Sequence, residues 1–447
     1  MEKYNILVNI LDALRSEAPT DFSFYHPNEN DVEKLNHARS KAYIHLFLKV
    51  KCGLMSFRER NDLITDGSQD GGLDAYYIDR EKKKLYLIQS KFRTTEFNFI
   101  EKSIVADDLV KMEIDRILKG EKQDSRGLEF NDKVKSFQVA WRNIPDHANY
   151  EYIVVFLGNL RNYSDEQVKR LIENYPYLIY DHKKTYDELV FPLCSGVYYE
   201  PNQIEITINL GNKEQPTLKQ RITTKYGDFR VIVVFVPANE IGRILHKYKN
   251  SILKYNPRNY LSLSQNKVNQ KIRDSIVNSV TNDFAILNNG ITIICDSFNE
   301  TTHTGEIDMG QIIIKNPQII NGGQTAYTLS KVYEANINYS GNLSTDNTLK
   351  GKEVLLKAII TNGIQEKHLS FIEEISNATN QQSRVEEADR RSNEPVQLEL
   401  QKYIYEEFGL FYERKKGEFF NGIEKSYIHR DFVIDRDEFF RAYMAFT

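Results

Sequence analysis

The sequence predicts an α/β fold for its first part and a mixed α+β fold for the remainder, on three observations. From Asp66 to Phe92 a glycine turn (Gly71, Gly72) leads into two short alternating segments, the pattern of paired strands. EYIVVFLGN, from Glu151 to Asn159, is a continuous apolar run of the kind found in a strand buried on both faces. Helical periodicities lie before, between and after these segments, so strands and helices alternate along the chain.

MEKYNILVNILDALRSEAP at the N-terminus reads as an amphipathic helix of the mature protein, because it lacks the apolar core and small-residue cleavage site of a signal peptide. Asp31 is placed to cap a helix running to Gly53, whose Leu35, Ala38, Ala42, Leu46 and Val50 share a face. Asp74 starts the first strand; the second, Leu85 to Lys91, sets Gln89 and Lys91 on one face and Ser90 on the other. A long amphipathic helix is expected from Asn98 to Lys119, closed by Gly120, and a second ending near Trp141 before Pro145. After the Glu151 strand, Ser164 to Asn174 suits a helix, and the first domain is placed at residues 1–180. Residues 181–248 read as a connector with short strands at Ile204 to Leu210 and Phe229 to Val236, and residues 249–447 as a second domain. The closing FFRAYMAFT falls inside a helical pattern, so that domain is expected to be truncated at its C-terminus.

Composition bounds the function. With 40% hydrophobic and 12% aromatic residues the chain can bury sizeable cores, and its net charge of −4 excludes a protein basic overall, so any nucleic-acid contact must be local. Cys52, Cys194 and Cys295 are widely spaced, fitting neither a zinc site nor a disulfide scaffold, and a reducing cytoplasm suits them. No apolar run approaches the ~18 residues of a membrane span.

The chemistry concentrates around Asp74, Gln89 and Lys91, where a carboxylate, an amide oxygen and an ammonium are expected to meet. Hard oxygen ligands suit Mg²⁺ or Mn²⁺, and a lysine offsets phosphate charge and orients water. The bland reading is an Asp-Gly-Gly turn joining two half-solvated strands. The order Asp…Gln-x-Lys behind GGLDA resembles the PD-(D/E)xK nuclease superfamily, in particular its Mrr-type branch. That resemblance implies a restriction-endonuclease-like core, Asp74 and Gln89 as metal ligands, Lys91 as the catalytic lysine, Asp70 as an accompanying acid, and an upstream acid, for which Glu33 and Glu59 both qualify. Lys82, Lys83 and Lys84 form a basic hairpin tip, more often solvated than functional.

Four segments of the second half, NPRNYL (Asn256 to Leu261), LNNGITIIC (Leu287 to Cys295), PQIINGGQTAYTLSKVY (Pro317 to Tyr333) and ISNATNQQSRVEEADRRSNE (Ile375 to Glu394), together resemble the abortive infection phage resistance (AIPR) family, and FYERKKGEF (Phe411 to Phe419) fits as well. Members of that family often carry a nuclease-like domain in front. Asn321, Gly322, Gly323, Gln324 and Thr325 read as a strand-glycine-helix junction able to hold a phosphate, with Asn380 in a neighbouring amide cluster. The plainer reading is a tight turn. Asn288, Asn289 and Gly290 suit a type I′ hairpin. Arg414, Lys415 and Lys416 read as solubilising surface, with Phe411 and Tyr412 in place for base stacking.

These readings combine into a Mg²⁺- or Mn²⁺-dependent nuclease acting in cytoplasmic anti-phage defence, with nucleic acid as partner, DNA before RNA, and a homo-oligomer, a phage-derived trigger or a nucleotide as further partners the pattern admits. The rivals are a non-cleaving DNA-binding or nucleotide-sensing module, and a phosphate-site enzyme centred on Gln324.

Overall fold

The computed structural model describes residues 3–105, 112–161, 163–200, 203–210, 216–256, 267–301, 310–337, 347–361, 363, 366–379 and 391–446. The chain forms two compact units, one over Glu2–Pro192 and one from Leu193 onward.

The first unit is built on a four-stranded sheet of β1 (Ala75–Asp79), β2 (Lys84–Ser90), β3 (Glu151–Leu157) and β4 (Tyr177–Tyr180), in the order β1-β2-β3-β4. β1 and β2 are an antiparallel hairpin; β3 and β4 join parallel to β2. Helix α1 spans Lys3–Arg15, and α2 (Val32–Lys51) starts where the Asp31 side chain accepts the Lys34 N–H. On α2, Phe47 packs edge-on against Tyr180 at 5.2 Å between ring centroids. The opposite sheet face, carrying Tyr76, Leu85, Leu87, Val154 and Phe156, packs with Val134, Phe137 and Trp141.

The expected long helix from Asn98 to Lys119 is not continuous. A short helix, α4 (Glu96–Glu101), follows α3 (Phe57–Asp62), and Lys102 is already extended at ψ 127°. The Asn159 Nδ2 amide ends α4 by donating to the Phe99, Ile100 and Lys102 carbonyls at 2.8, 3.0 and 3.2 Å, satisfying the acceptors a helix end leaves open. Helical structure resumes at α5 (Ile114–Lys119) and α6 (Asp132–Arg142). Helix α7 (Asp165–Leu171) is fixed by a capping box between Ser164 and Gln167.

The first unit also runs past the expected end near Tyr180. Leu189 and Val190 are fully buried, and the Thr185 hydroxyl lies 2.6 Å from the Tyr43 hydroxyl on α2. Segment Tyr186–Val190 therefore packs on α1 and α2.

Residues 193–248 are likewise structural members of the second unit rather than a connector. Strand β7 (Gly227–Pro237) lies inside the five-stranded sheet β11-β8-β12-β7-β6, pairing antiparallel with β12 (Glu353–Ile360) from Arg230↔Ile360 to Pro237↔Glu353. The other members are β6 (Leu218–Thr224), β8 (Ile291–Cys295) and β11 (Gln318–Asn321), while β5 (Glu205–Asn209), β9 (Ser297–Thr301) and β10 (Gln311–Lys315) make a second sheet in the order β5-β10-β9. Two helices, α8 (Ala238–Tyr248) and α9 (Gly323–Asn336), share the main core with Ile232, Val234 and Val236 of β7. They approach closely because Gly242 has no side chain: a Cβ there would lie 2.7 Å from the Leu329 carbonyl oxygen. The architecture is thus mixed α/β in both units.

Under α2 and α3 of the first unit, Glu17 is paired with Lys49 and with Arg60, which is fully buried. Burial alone would raise the Glu17 carboxyl, but the two cations outweigh it and bring it down to about 2. The unfolded chain, with this group near 4.5, takes up the proton first as acid is added, so the stabilisation is complete above about pH 4.5 and is lost as the pH falls toward 2. Denaturant unfolding from pH 7 to 3 is expected to show Glu17→Gln less stable by on the order of 2–3 kcal/mol at neutral pH, with the gap closing in acid. A gap independent of pH would mean that the pair contributes through packing instead.

Candidate metal centre

Asp74 is the residue through which the glycine turn closes on the sheet. Its N–H donates to the Ile88 carbonyl at 2.9 Å, and its own carbonyl accepts the N–H groups of Thr65 and Asp66, each at 2.9 Å. The turn between is held further by Asn131, which caps α6 and donates from Nδ2 to the Thr65 and Ser68 carbonyls at 3.0 and 3.2 Å. Gly71 takes a left-handed φ of 64°, and a Cβ there would meet the Phe130 ring at 2.6 Å, so only glycine lets the turn fold down onto that core.

This packing brings three carboxylates together. One oxygen from each of Asp66, Asp70 and Asp74 lies within 4.8 Å of the others. A cation with oxygen ligands at ~2.1 to ~2.6 Å spans shells of about that width, so the three can share one ion. The β1–β2 register pairs Ala75 with Ile88, which sets Asp74 opposite Gln89; residues directly opposite share a face, so Asp74, Gln89 and Lys91 project to the same side. Gln89 is only 3% exposed, and Asp74 and Lys91 are half-buried.

The electrostatics follow from this crowding. Burial pushes the Asp74 carboxyl up to about 8; the Ser90 N–H, donating to its Oδ2 at 2.6 Å, and the Lys91 ammonium oppose the rise, while Asp66 and Asp70 add to it. Asp70 is raised for the same first reason, against N–H donors from Gly67 and Gly72 at 3.1 and 2.9 Å. Lys41, whose Nζ stands 3.5 Å from Asp66 Oδ2, and Lys91 offset part of this crowding, and a divalent cation would offset the rest. Asp74 is therefore half-buried rather than set on an open strand face.

Asp66 is the member that sequence reasoning passed over. Three acids within the nine residues DGSQDGGLD were the available signal, obscured because the turn, not strand alternation, aims them at one point. Neither upstream glutamate joins the cluster. Glu33, with a side chain 88% exposed, begins α2 two turns, roughly 12 Å, before Lys41, the α2 residue whose Nζ reaches the Asp66 carbonyl at 3.1 Å. Glu59 is used in the capping box of α3. The basic hairpin tip is remote too: Lys84 begins β2 and Gln89 nearly ends it, while Lys83 and Lys84 pair with Asp146 and Glu151 at 2.9 and 3.1 Å.

In the second unit the glycine junction opens α9. Gly322 holds a φ of 82°, the Asn321 Oδ1 accepts the Gly322 N–H at 2.8 Å, and the Asn288 amide donates to the Thr325 hydroxyl at 3.2 Å. Gln324 is half-buried, not sealed in the core. Asn288 to Gly290 is not a hairpin turn; it joins a short helix, Phe284–Leu287, to β8, whose sheet neighbours are β11 and β12. Asn380 lies outside the described residues.

The basic run at Arg414 is interior, not surface. Phe411 and Tyr412 are fully buried, Arg414 pairs with Glu418 and donates to Gln401 at 2.8 Å, and only Lys416 is exposed. Burial drives the Lys415 ammonium down to about 7, where it donates to the Lys254 carbonyl and, at 3.3 Å, to that of Asn256. The Asn256 amide in turn stands 3.0 Å from where a Cβ of Gly323 would be. Three segments far apart in sequence thus converge on Asn256.

Residues 253–443 match the family model described as AIPR protein, and the chain is similar to that family over this stretch. The match contains Asn256, the glycine junction and the Arg414 run; the carboxylate cluster lies before it. No curated protein and no solved structure is matched. Among the described residues no helix is long and apolar enough to cross a membrane.

Asp66→Asn removes one charge from the cluster while keeping its shape. It is expected to weaken Mn²⁺ binding, measured by calorimetry, by about tenfold or more. Unchanged affinity would remove Asp66 from the centre.

Proposed function

We propose that the first unit is a metal-dependent nuclease serving anti-phage defence, the role to which the AIPR stretch of the second unit points. The observation that carries the nuclease reading is the meeting of the Asp66, Asp70 and Asp74 carboxylates beside a strand end that presents Gln89 and Lys91. The mixed four-stranded sheet, with its acid at the start of β1 and its lysine just past the end of β2, suits the restriction-endonuclease-like core implied by the Asp…Gln-x-Lys pattern.

The three carboxylates, with Gln89 beside them, would hold Mg²⁺ or Mn²⁺, which when bound supplies Lewis-acid polarisation of a phosphate oxygen. Lys91 brings its charge to the same spot, since it acts on both Asp70 and Asp74, and from there it offsets charge developing on the phosphate and orients water for in-line attack. The turn holding Asp66 and Asp70 is fixed beforehand by Asn131 and by the Asp74 carbonyl, so little reorganisation is needed at the moment of reaction.

A second reading, a domain that grips nucleic acid without cutting, is favoured by one observation. Gln89 is a buried neutral amide where a nuclease of this pattern commonly has an acid. Plasmid nicking with Mg²⁺ or Mn²⁺ separates the two. Asp74→Asn, which retains an acceptor for the Ser90 N–H, is expected to abolish nicking with folding intact, and Lys91→Ala to slow it by roughly 10²-fold with metal affinity unchanged. Binding of the plasmid with no metal-dependent nicking by the wild-type protein would favour the second reading, and nicking that persists in Asp74→Asn would place the chemistry elsewhere.

A further inference from the structure

Beside the carboxylate cluster stands an aromatic ring that the core does not absorb. Phe24 is 45% exposed although its neighbour Tyr25 is 3% exposed and locked in place: the Tyr25 ring packs edge-on against Phe57 at 5.0 Å, and its hydroxyl donates to Asn61 at 3.0 Å. The Phe24 ring meets that Tyr25 ring edge-on at 5.5 Å, which braces it on one side. Over the ring, 4.5 Å from its centroid, lies the Lys41 ammonium, which also stands 3.5 Å from Asp66 Oδ2. One ammonium therefore touches both a stacking surface and a carboxylate of the candidate metal centre.

A preset aromatic ring with a cation beside it is the pairing that binds a nucleotide of a single strand. The base stacks on the exposed part of the ring, whatever its identity, as the Lys41 ammonium turns from the ring to the neighbouring phosphate. In a duplex each base is already stacked on its neighbours, and the ring has nothing to accept.

We propose that Phe24 and Lys41 form a subsite for one unpaired nucleotide of the substrate strand next to the scissile phosphate, so that the substrate class is single-stranded nucleic acid or a duplex with an unpaired end. The proposal rests on the nuclease reading of the carboxylate cluster. It makes Lys41 a substrate-binding residue whose contact with Asp66 holds it ready, and Phe24 the residue that sets strand preference.

The test is fluorescence anisotropy of the full chain with a labelled single-stranded oligodeoxynucleotide and with a blunt hairpin duplex of the same sequence, Ca²⁺ replacing Mg²⁺. Phe24→Leu is expected to weaken single-strand binding by about tenfold while leaving the duplex within about twofold, and Phe24→Trp to restore the single-strand affinity. Lys41→Met is expected to weaken single-strand binding and to lower its salt dependence by about one phosphate contact. An unchanged single-strand affinity in Phe24→Leu, or equal losses on both probes, overturns the subsite while leaving the nuclease reading in place. Failure of the wild-type protein to bind either probe overturns both. Single-strand binding that behaves as expected, without cleavage of the same single-stranded oligodeoxynucleotide in Mg²⁺ or Mn²⁺, overturns hydrolysis and keeps the subsite.

Discussion

The backbone of Asp74 is the constraint on which the first unit's site depends. Its N–H is committed to the sheet through Ile88 and its carbonyl to the turn through Thr65 and Asp66, so one peptide joins a strand register to a loop. Loosening either bond would let the Asp66 and Asp74 carboxylates separate. Three acids pressed into a half-buried space repel one another and lose hydration, a cost of a few kcal/mol or more without a counter-charge. The fold meets that cost with hydrogen bonds from Gly67, Gly72 and Ser90, all donated by the backbone. Donors of this kind cannot swing away, which holds Asp70 and Asp74 in place, while the Asp66 carboxylate faces the Lys41 ammonium at 3.5 Å.

What the sequence disclosed was local. The hairpin, its alternation and the Asp31 cap depend on residues within a few positions of each other, and the structure places them where those patterns indicate. What it concealed depends on partners far along the chain. Nothing around Lys102 announces that α4 must stop there, because the stop signal is an amide at Asn159. Arg414 and Lys415 have the composition of a solvated run; they are interior because Gln401, Glu418 and the carbonyls of Lys254 and Asn256 receive them. The Asp66 contribution was hidden differently, in a turn whose direction is set by the Phe130 ring under Gly71.

In the second unit Asn256 and the glycine junction, both inside the stretch similar to the AIPR family, are engaged with neighbouring segments of that same stretch. Asn256 receives Lys415 on its carbonyl and lies beside Gly323, and the Asn288 amide is bonded to Thr325 at the start of α9. Buried polar networks of this type tend to fix one arrangement of a core at little net gain in stability, because each group has given up water to join. The half-buried Gln324 keeps part of its surface outside that network.

The placement of the carboxylates also has a bearing on synthesis. Asp66, Asp70, Asp74, Gln89 and Lys91 all belong to one hairpin and the turn before it, which can form as soon as those residues leave the ribosome. The hydrophobic core of this unit is completed later, by Phe130 and Phe137 from the region of α6 and by Phe156 from β3, which pairs in parallel with β2 beside Gln89. A nascent chain that has reached only Lys91 therefore has the three acids but not the core against which their turn packs. The gathering of the three acids is complete only once the Phe130 ring stands under Gly71, so a partly made chain holds them without the packing that brings them together.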